Sequence, residues 1–144
     1  MISDPLNIIL LDTDVFSYLM EPGHPRGRPY LPHVEGRTTA LSFITVGELL
    51  FGAFWRGWGE RRVAELQRRL AAAFILPLDH ETSLAYGRLK SGLRRQGRVL
   101  ADNDLWIAAL AVRHSVPLVS NNRAHFERVP GLVLISEAPK RPFP

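Results

Sequence analysis

The stretch Leu6-Asn7-Ile8-Ile9-Leu10-Leu11-Asp12-Thr13-Asp14 decides the fold class. An almost wholly apolar run from Leu6 to Leu11 stops abruptly at Asp12, which is how a strand buried on both faces meets a polar sheet edge. Outward from it, Val15 to Met20 reads as a short helix, and Pro22 to Arg37, rich in proline and glycine and without periodicity, as a surface loop. Thr38 to Leu41 is a second strand, and Ser42 is placed to cap a helix running through Glu48 to about Arg56, punctuated by Gly57 and Gly59. Glu60 to Phe74 sets Val63, Leu66, Leu70 and Phe74 at helical spacing with arginines opposite, an amphipathic helix. Ile75 to Leu78, Pro117 to Ser120 and Leu132 to Ile135 read as further strands. Glu81 to Gln96 is a helix broken by Gly97, another opens at Asp102 or Asn103 and continues to about His114, and Asn122 to Phe126 is a helical turn. This alternation predicts an α/β sandwich around a largely parallel sheet. Ligands of such sheets bind beyond the carboxyl ends of the strands, where Asp12 and Asn122 fall.

With 144 residues the chain has room for one core, so residues 1–144 read as a single domain with a frayed tail from Ala138 to Pro144. The absence of cysteine excludes disulfides, thiol nucleophiles and cysteine-bound zinc, which leaves oxygen or histidine to hold any metal. The longest uninterrupted apolar run, Leu105 to Val112, falls far short of the roughly 18 residues of a membrane span. Met1-Ile2-Ser3-Asp4-Pro5 lacks the basic stretch of a secretory signal. The expectation is a cytoplasmic protein without a membrane partner. Basic residues outnumber acidic ones 18 to 14, and 16 of the 18 are arginine, whose planar fork suits phosphate.

Asp12 follows the first strand, Glu48 interrupts Phe43-Ile44-Thr45-Val46-Gly47-Glu48-Leu49-Leu50, and Asp104 precedes Leu105-Trp106-Ile107-Ala108-Ala109. Alone, each reads as a cap or an ion-pair partner. Converging at a strand edge, they would raise one another's pKa unless a cation neutralised them. Mg2+ or Mn2+ does so with oxygen ligands, and a metal held this way activates water and offsets charge on phosphoryl oxygens. Together with the arginines, the acids point to metal-dependent phosphodiester hydrolysis.

Four segments carry a resemblance: Leu11-Asp12-Thr13-Asp14, Thr45-Val46-Gly47-Glu48-Leu49, Asn103-Asp104-Leu105-Trp106-Ile107-Ala108-Ala109, and Leu118-Val119-Ser120-Asn121-Asn122-Arg123-Ala124-His125-Phe126. In order and spacing the chain resembles a PIN-domain ribonuclease of the VapC toxin type from Ile8 to about Ile135. The resemblance implies a PIN-like α/β/α sandwich and a Mg2+- or Mn2+-dependent endoribonuclease. It also implies the toxin of a toxin–antitoxin pair, which cuts structured RNA, is held inactive by a cognate antitoxin and forms a homodimer. It matches Asp12, Glu48 and Asp104 to the family's metal-binding acids. Asn122 takes the fourth site, as a neutral oxygen ligand or hydrogen-bond partner of the metal shell. Thr13 and Ser120 take the hydroxyl positions orienting that shell, with Asp14 and Asn121 beside them. Asp14 stands where asparagine or serine is common, and Ser120 where threonine is usual.

Asp102 reads as a helix N-cap in preference to a member of the metal shell. His24, His33, His80, His114 and His125 show no metal-ligand spacing, and loop or surface positions explain them. Phe51, Phe54, Trp55 and Trp58 admit two readings, a core face or a patch that receives the antitoxin or a second copy. Arg94, Arg95 and Arg98 are candidate RNA contacts. Two rival functions remain open at this point. Asp12-Thr13-Asp14-Val15 also resembles the first motif of haloacid-dehalogenase-like phosphatases, although the lysine and late acid pair of those enzymes have no clear counterpart. A noncatalytic RNA-binding module is the other rival.

Overall fold

In the computed structural model, which describes residues 7–140, five strands form one all-parallel sheet. They are β1 (Ile8–Leu11), β2 (Thr38–Leu41), β3 (Phe74–Ile75), β4 (Leu118–Val119) and β5 (Leu134–Ile135), in the spatial order β3-β2-β1-β4-β5. The helices are α1 (Thr13–Met20), α2 (Leu31–Val34), α3 (Phe43–Trp55), α4 (Glu60–Ala72), α5 (His80–Arg95), α6 (Asp102–His114) and α7 (Arg123–Phe126). β1 is the middle strand and is buried throughout, because its alternating side chains serve two cores. Ile8 and Leu10 enter one with Leu89 and Leu93 of α5 and Ile107 and Leu110 of α6. Ile9 and Leu11 enter the other with Val15 of α1, Leu49 of α3, and Leu66 and Leu70 of α4. The continuous apolar run is thus the mark of a sheet covered on both faces.

The strand order places the site. From β1 the chain winds outward through β2 to β3, then returns across the sheet to β4 on the other side of β1. The crevice beyond β1 and β4 is therefore the topological switch point, the usual ligand position in open parallel sheets. Their register pairs Leu10 with Leu118 and Leu11 with Val119, which brings the next residues, Asp12 and Ser120, level with each other.

Several expected boundaries move for local reasons. Phe74 leaves the helix and joins the sheet, so α4 ends at Ala72 and β3 starts one residue earlier than expected and is shorter. Asp79 opens α5 with a capping box to Thr82, and the bidentate Arg113 guanidinium from α6 holds its carboxyl well below the usual carboxylate range. Asp102 does not cap α6: Ala101 takes that place without a side-chain bond, and Asp102 accepts from the Tyr86 hydroxyl at 2.9 Å and from Lys90 Nζ at 3.1 Å. Ala138 does not begin a frayed tail, since Arg123 donates to its carbonyl at 2.9 Å and to that of Ser136 at 2.7 Å. The expectation for 141–144 lies outside the described residues. Nor is the 22–37 segment only a surface loop. It folds into a 3-10 turn at Arg28–Tyr30 followed by α2, and Tyr30 is wholly buried in the core that Ile9 enters.

Candidate functional site

Asp12 is 6% exposed at the end of the middle strand. Its carboxylate caps α1 by accepting from the Thr13 N–H at 2.8 Å, and the Ser120 hydroxyl donates to its second oxygen at 2.7 Å. Ser120 Oγ in turn accepts from the Asn122 N–H at 3.0 Å, which fixes the loop after β4 against β1. Asp14, on the first turn of α1, accepts from the Val15 N–H at 2.6 Å and from the Asn121 N–H at 3.1 Å. Burial, joined by the charge of Asp14 and to a lesser degree that of Asp104, pushes the Asp12 carboxyl up to about 7. Burial also raises Asp14, with Asp104 contributing. Among the described residues no basic side chain pairs with Asp12, Asp14 or Glu48. The sheet's switch point therefore holds carboxylates whose charge no basic group among the described residues balances.

Glu48 arrives from α3 by a different route. The Ser42, Thr45 and Thr13 hydroxyls stand 3.0 and 3.0 Å apart in sequence, and Thr13 Oγ1 is 2.9 Å from Glu48 Oε1. Each hydroxyl has one proton to give, so the chain runs in one direction and ends by donating to the Glu48 carboxylate. Ser42 and Thr45 are fully buried, which makes this chain a rigid support for Glu48. Asp104 lies in the first turn of α6, where the helix dipole favours a negative charge.

Sequence reasoning missed two residues here. His125 is no bystander on the surface: its Nδ1 stands 2.8 Å from Asp104 Oδ2 and 2.7 Å from Asn122 Nδ2, joining α6 to α7. The i, i+3 spacing of Asn122 and His125 on a helical turn was the available signal. Tyr30 is the other. Its hydroxyl donates to Asn121 Oδ1 at 2.6 Å and accepts from the Glu137 N–H at 3.0 Å, so it ties the Asn121 loop to the segment after β5. Tyr30→Phe keeps the ring but orphans both groups. We expect a loss of about 1–2 kcal/mol in thermal or urea unfolding and faster amide exchange at Asn121, whose N–H reaches Asp14. Unchanged exchange there would show that the hydroxyl holds only the segment after β5.

The donor chemistry fits a hard divalent cation, with Asp12, Asp14 and Asp104 in mutual electrostatic range and, among the described residues, no basic partner to Asp12 or Asp14. The ligand set is not closed, however: among the described residues no group of three acidic or histidine side chains stands close enough to hold an ion. Thr13 holds Glu48 through Oε1 and His125 holds Asp104 through Oδ2, one carboxylate oxygen in each case.

On the far side of α3, Phe43, Phe51, Phe54 and Trp55 are 60–80% exposed, and the Phe51 and Trp55 rings stack at 6.0 Å. Trp58 separates from them. It packs against the core and carries the Arg62 guanidinium 3.7 Å above its ring. Arg94 and Arg95 are exposed in the last turn of α5, and Arg98 is half-buried just beyond it.

Comparison with known proteins gives a consistent answer. The sequence matches the PIN domain family over residues 9–132. Ribonuclease VapC2 of Rickettsia felis is 30% identical over 131 residues, covering 88% of this chain and 96% of that protein. Ribonuclease VapC1 of Haemophilus influenzae is 31% identical over 133 residues, covering 87% and 94%. In three dimensions the chain is similar to the crystal structure of VapBC2 from Rickettsia felis bound to a DNA fragment from their promoter. That likeness has a TM-score of 0.78 and 28% identity over 90% of this chain and 98% of that one. The phosphatase reading of Asp12-Thr13-Asp14-Val15 loses its footing against a family match over residues 9–132.

Proposed function

The chain belongs to the PIN domain family and to its VapC ribonucleases, and from that premise we propose that it is the toxin of a toxin–antitoxin pair, a cytoplasmic endoribonuclease that needs Mg2+ or Mn2+. The observation that carries the reading is the buried Asp12 carboxyl at the β1–β4 switch point, pushed up to about 7 beside Asp14 and Asp104 with no basic partner among the described residues. Asp12, Glu48 and Asp104 would hold the divalent cation, with Asn122 as a neutral oxygen donor. When bound, it supplies positive charge against the negative charge that develops on the phosphoryl oxygens, and it activates water. Thr13 fixes the Glu48 carboxylate, Ser120 fixes Asp12, and Asn121 fixes Asp14. His125 holds Asp104 against α7. The excess arginines hold RNA phosphates outside the acidic crevice. No helix among the described residues is long and apolar enough to cross a membrane.

The test is substitution at Glu48. Glu48→Gln retains the oxygen that accepts from Thr13 and removes only the charge, so the variant melts with the wild type while RNA cleavage falls at least about 100-fold. Wild-type turnover would remove Glu48 from the site. Full activity with every acid replaced would favour a different centre altogether, and absence of cleavage in the wild type with retained RNA binding would favour the noncatalytic module.

A further inference from the structure

The C-terminal turn of α5 and the N-terminal turn of α6 enclose a cavity of about 270 Å³ that the acidic crevice does not use. Its floor is apolar, formed by the buried Leu93 and Leu105, and its wall carries Val99, which is 89% exposed. Lys90, Arg94 and Arg98 stand at its rim against a single acid, Asp102. Lys90 neutralises that acid, and both the Lys90 and the Tyr86 bonds end on Oδ1, which leaves Oδ2 without a partner among the described residues. Arg94 and Arg98 donate no side-chain hydrogen bond among the described residues.

We infer that this cavity binds one unstacked nucleotide of the RNA, its base seated against Val99 and Leu105 and its phosphates on Arg94 and Arg98; the inference rests on the ribonuclease reading. The space suits a single flat ring on an apolar floor, and two arginines, Arg94 and Arg98, beside an acid already neutralised by Lys90 suit an anionic chain. Duplex RNA keeps its bases stacked and out of reach, so the nucleotide comes from a loop or single strand. Asp104 lies two residues beyond Asp102 in the first turn of α6, about 3 Å along the axis but on another face, so a strand anchored in the cavity reaches the proposed metal-binding acids by passing around the N-terminal end of that helix. Asp102 Oδ2 accepts from an exocyclic amine, which cytosine, adenine and guanine carry and uracil lacks. Asp102 thus acts as a specificity determinant, neither a helix cap nor a metal ligand.

The full-length protein in EDTA is titrated with CMP and with UMP while the backbone amides of residues 98–105 are followed by NMR. CMP is expected to shift those amides and to bind at least about five-fold more tightly than UMP. Val99→Trp, which fills the mouth from an exposed position, abolishes the shifts, and Asp102→Ala equalises the two nucleotides. Equal affinities in the wild type, shifts confined to other residues, or no binding at millimolar concentration would overturn the inference. In a second arm, a pool of randomised single-stranded RNA is cleaved with divalent cation present. Uridine is depleted at one fixed distance from the cut, and Val99→Trp removes the depletion. Cleavage without that depletion, or shifts at 98–105 produced by the antitoxin and not by nucleotides, overturns the cavity assignment and leaves the ribonuclease reading standing. A wild type that cleaves no RNA defeats the ribonuclease reading, and the nucleotide titration still decides the cavity.

Discussion

Asp12→Asn is expected to stop RNA cleavage, by at least about 100-fold, and at the same time to make the metal-free protein more stable. Both effects have one cause. The Asp12 carboxyl is buried, sits beside Asp14 and Asp104, and is pushed up to about 7. A carboxyl whose folded pKa lies above its unfolded value favours folding while protonated. Its contribution is complete below about pH 4 and is lost as the pH rises through about 7. Asp14 is raised in the same direction. Asp79 is lowered, so its contribution fails only in more acidic solution and does not overlap this window. In EDTA the wild type should therefore melt higher at pH 5.5 than at pH 8. Asp12→Asn should flatten that slope and exceed the wild type at pH 8 by about 1–3 kcal/mol. Asparagine still accepts from the Thr13 N–H, so the helix cap survives. A variant that melts lower than the wild type at pH 8 would show Asp12 to be a structural cap, with no electrostatic load to relieve.

Phe51→Ala and Trp55→Ala should each weaken assembly with the antitoxin or with a second copy by about 1–3 kcal/mol, while the melting temperature of the isolated chain hardly changes. The two rings stack on each other in solvent, and Phe43 and Phe54 extend the patch along α3. So large an apolar surface is rarely left uncovered in a working protein. Trp58→Ala should do the reverse, lowering stability through lost packing and the lost Arg62 contact, with assembly preserved. Sedimentation and titration calorimetry on the three variants check this. Equal loss of stability in all three would make the aromatics one core cluster.

The contrast among these residues shows where sequence reasoning succeeds. Asp12 and Ser42 were legible because a buried strand must end where its polar neighbours begin, and the residue at that end is then a cap or a ligand. Asp104 stood out because a carboxylate precedes an uninterrupted apolar run, and it lies in the first turn of α6. Trp55 and Trp58 were not separable, since α3 is apolar nearly all round and periodicity alone does not say which stripe the fold covers. Tyr30 escaped notice because its burial depends on partners Asn121 and Glu137, 91 and 107 residues away, and no local pattern encodes them. His125 was harder to place because its acidic partner Asp104 lies 21 residues earlier, and only its i, i+3 spacing from Asn122 is local. Asp102 misled in another way. It has the residue type of a cap, but the backbone turns into α6 one residue sooner and frees the side chain for Lys90 and Tyr86.

The most direct measurement is cleavage of an RNA substrate by the purified, antitoxin-free chain, first in excess EDTA and then with Mg2+ or Mn2+ restored above the chelator. The expected result is no cleavage in EDTA and full recovery on adding the cation, with none recovered by Asp12→Asn. Cleavage that proceeds equally in EDTA would contradict it.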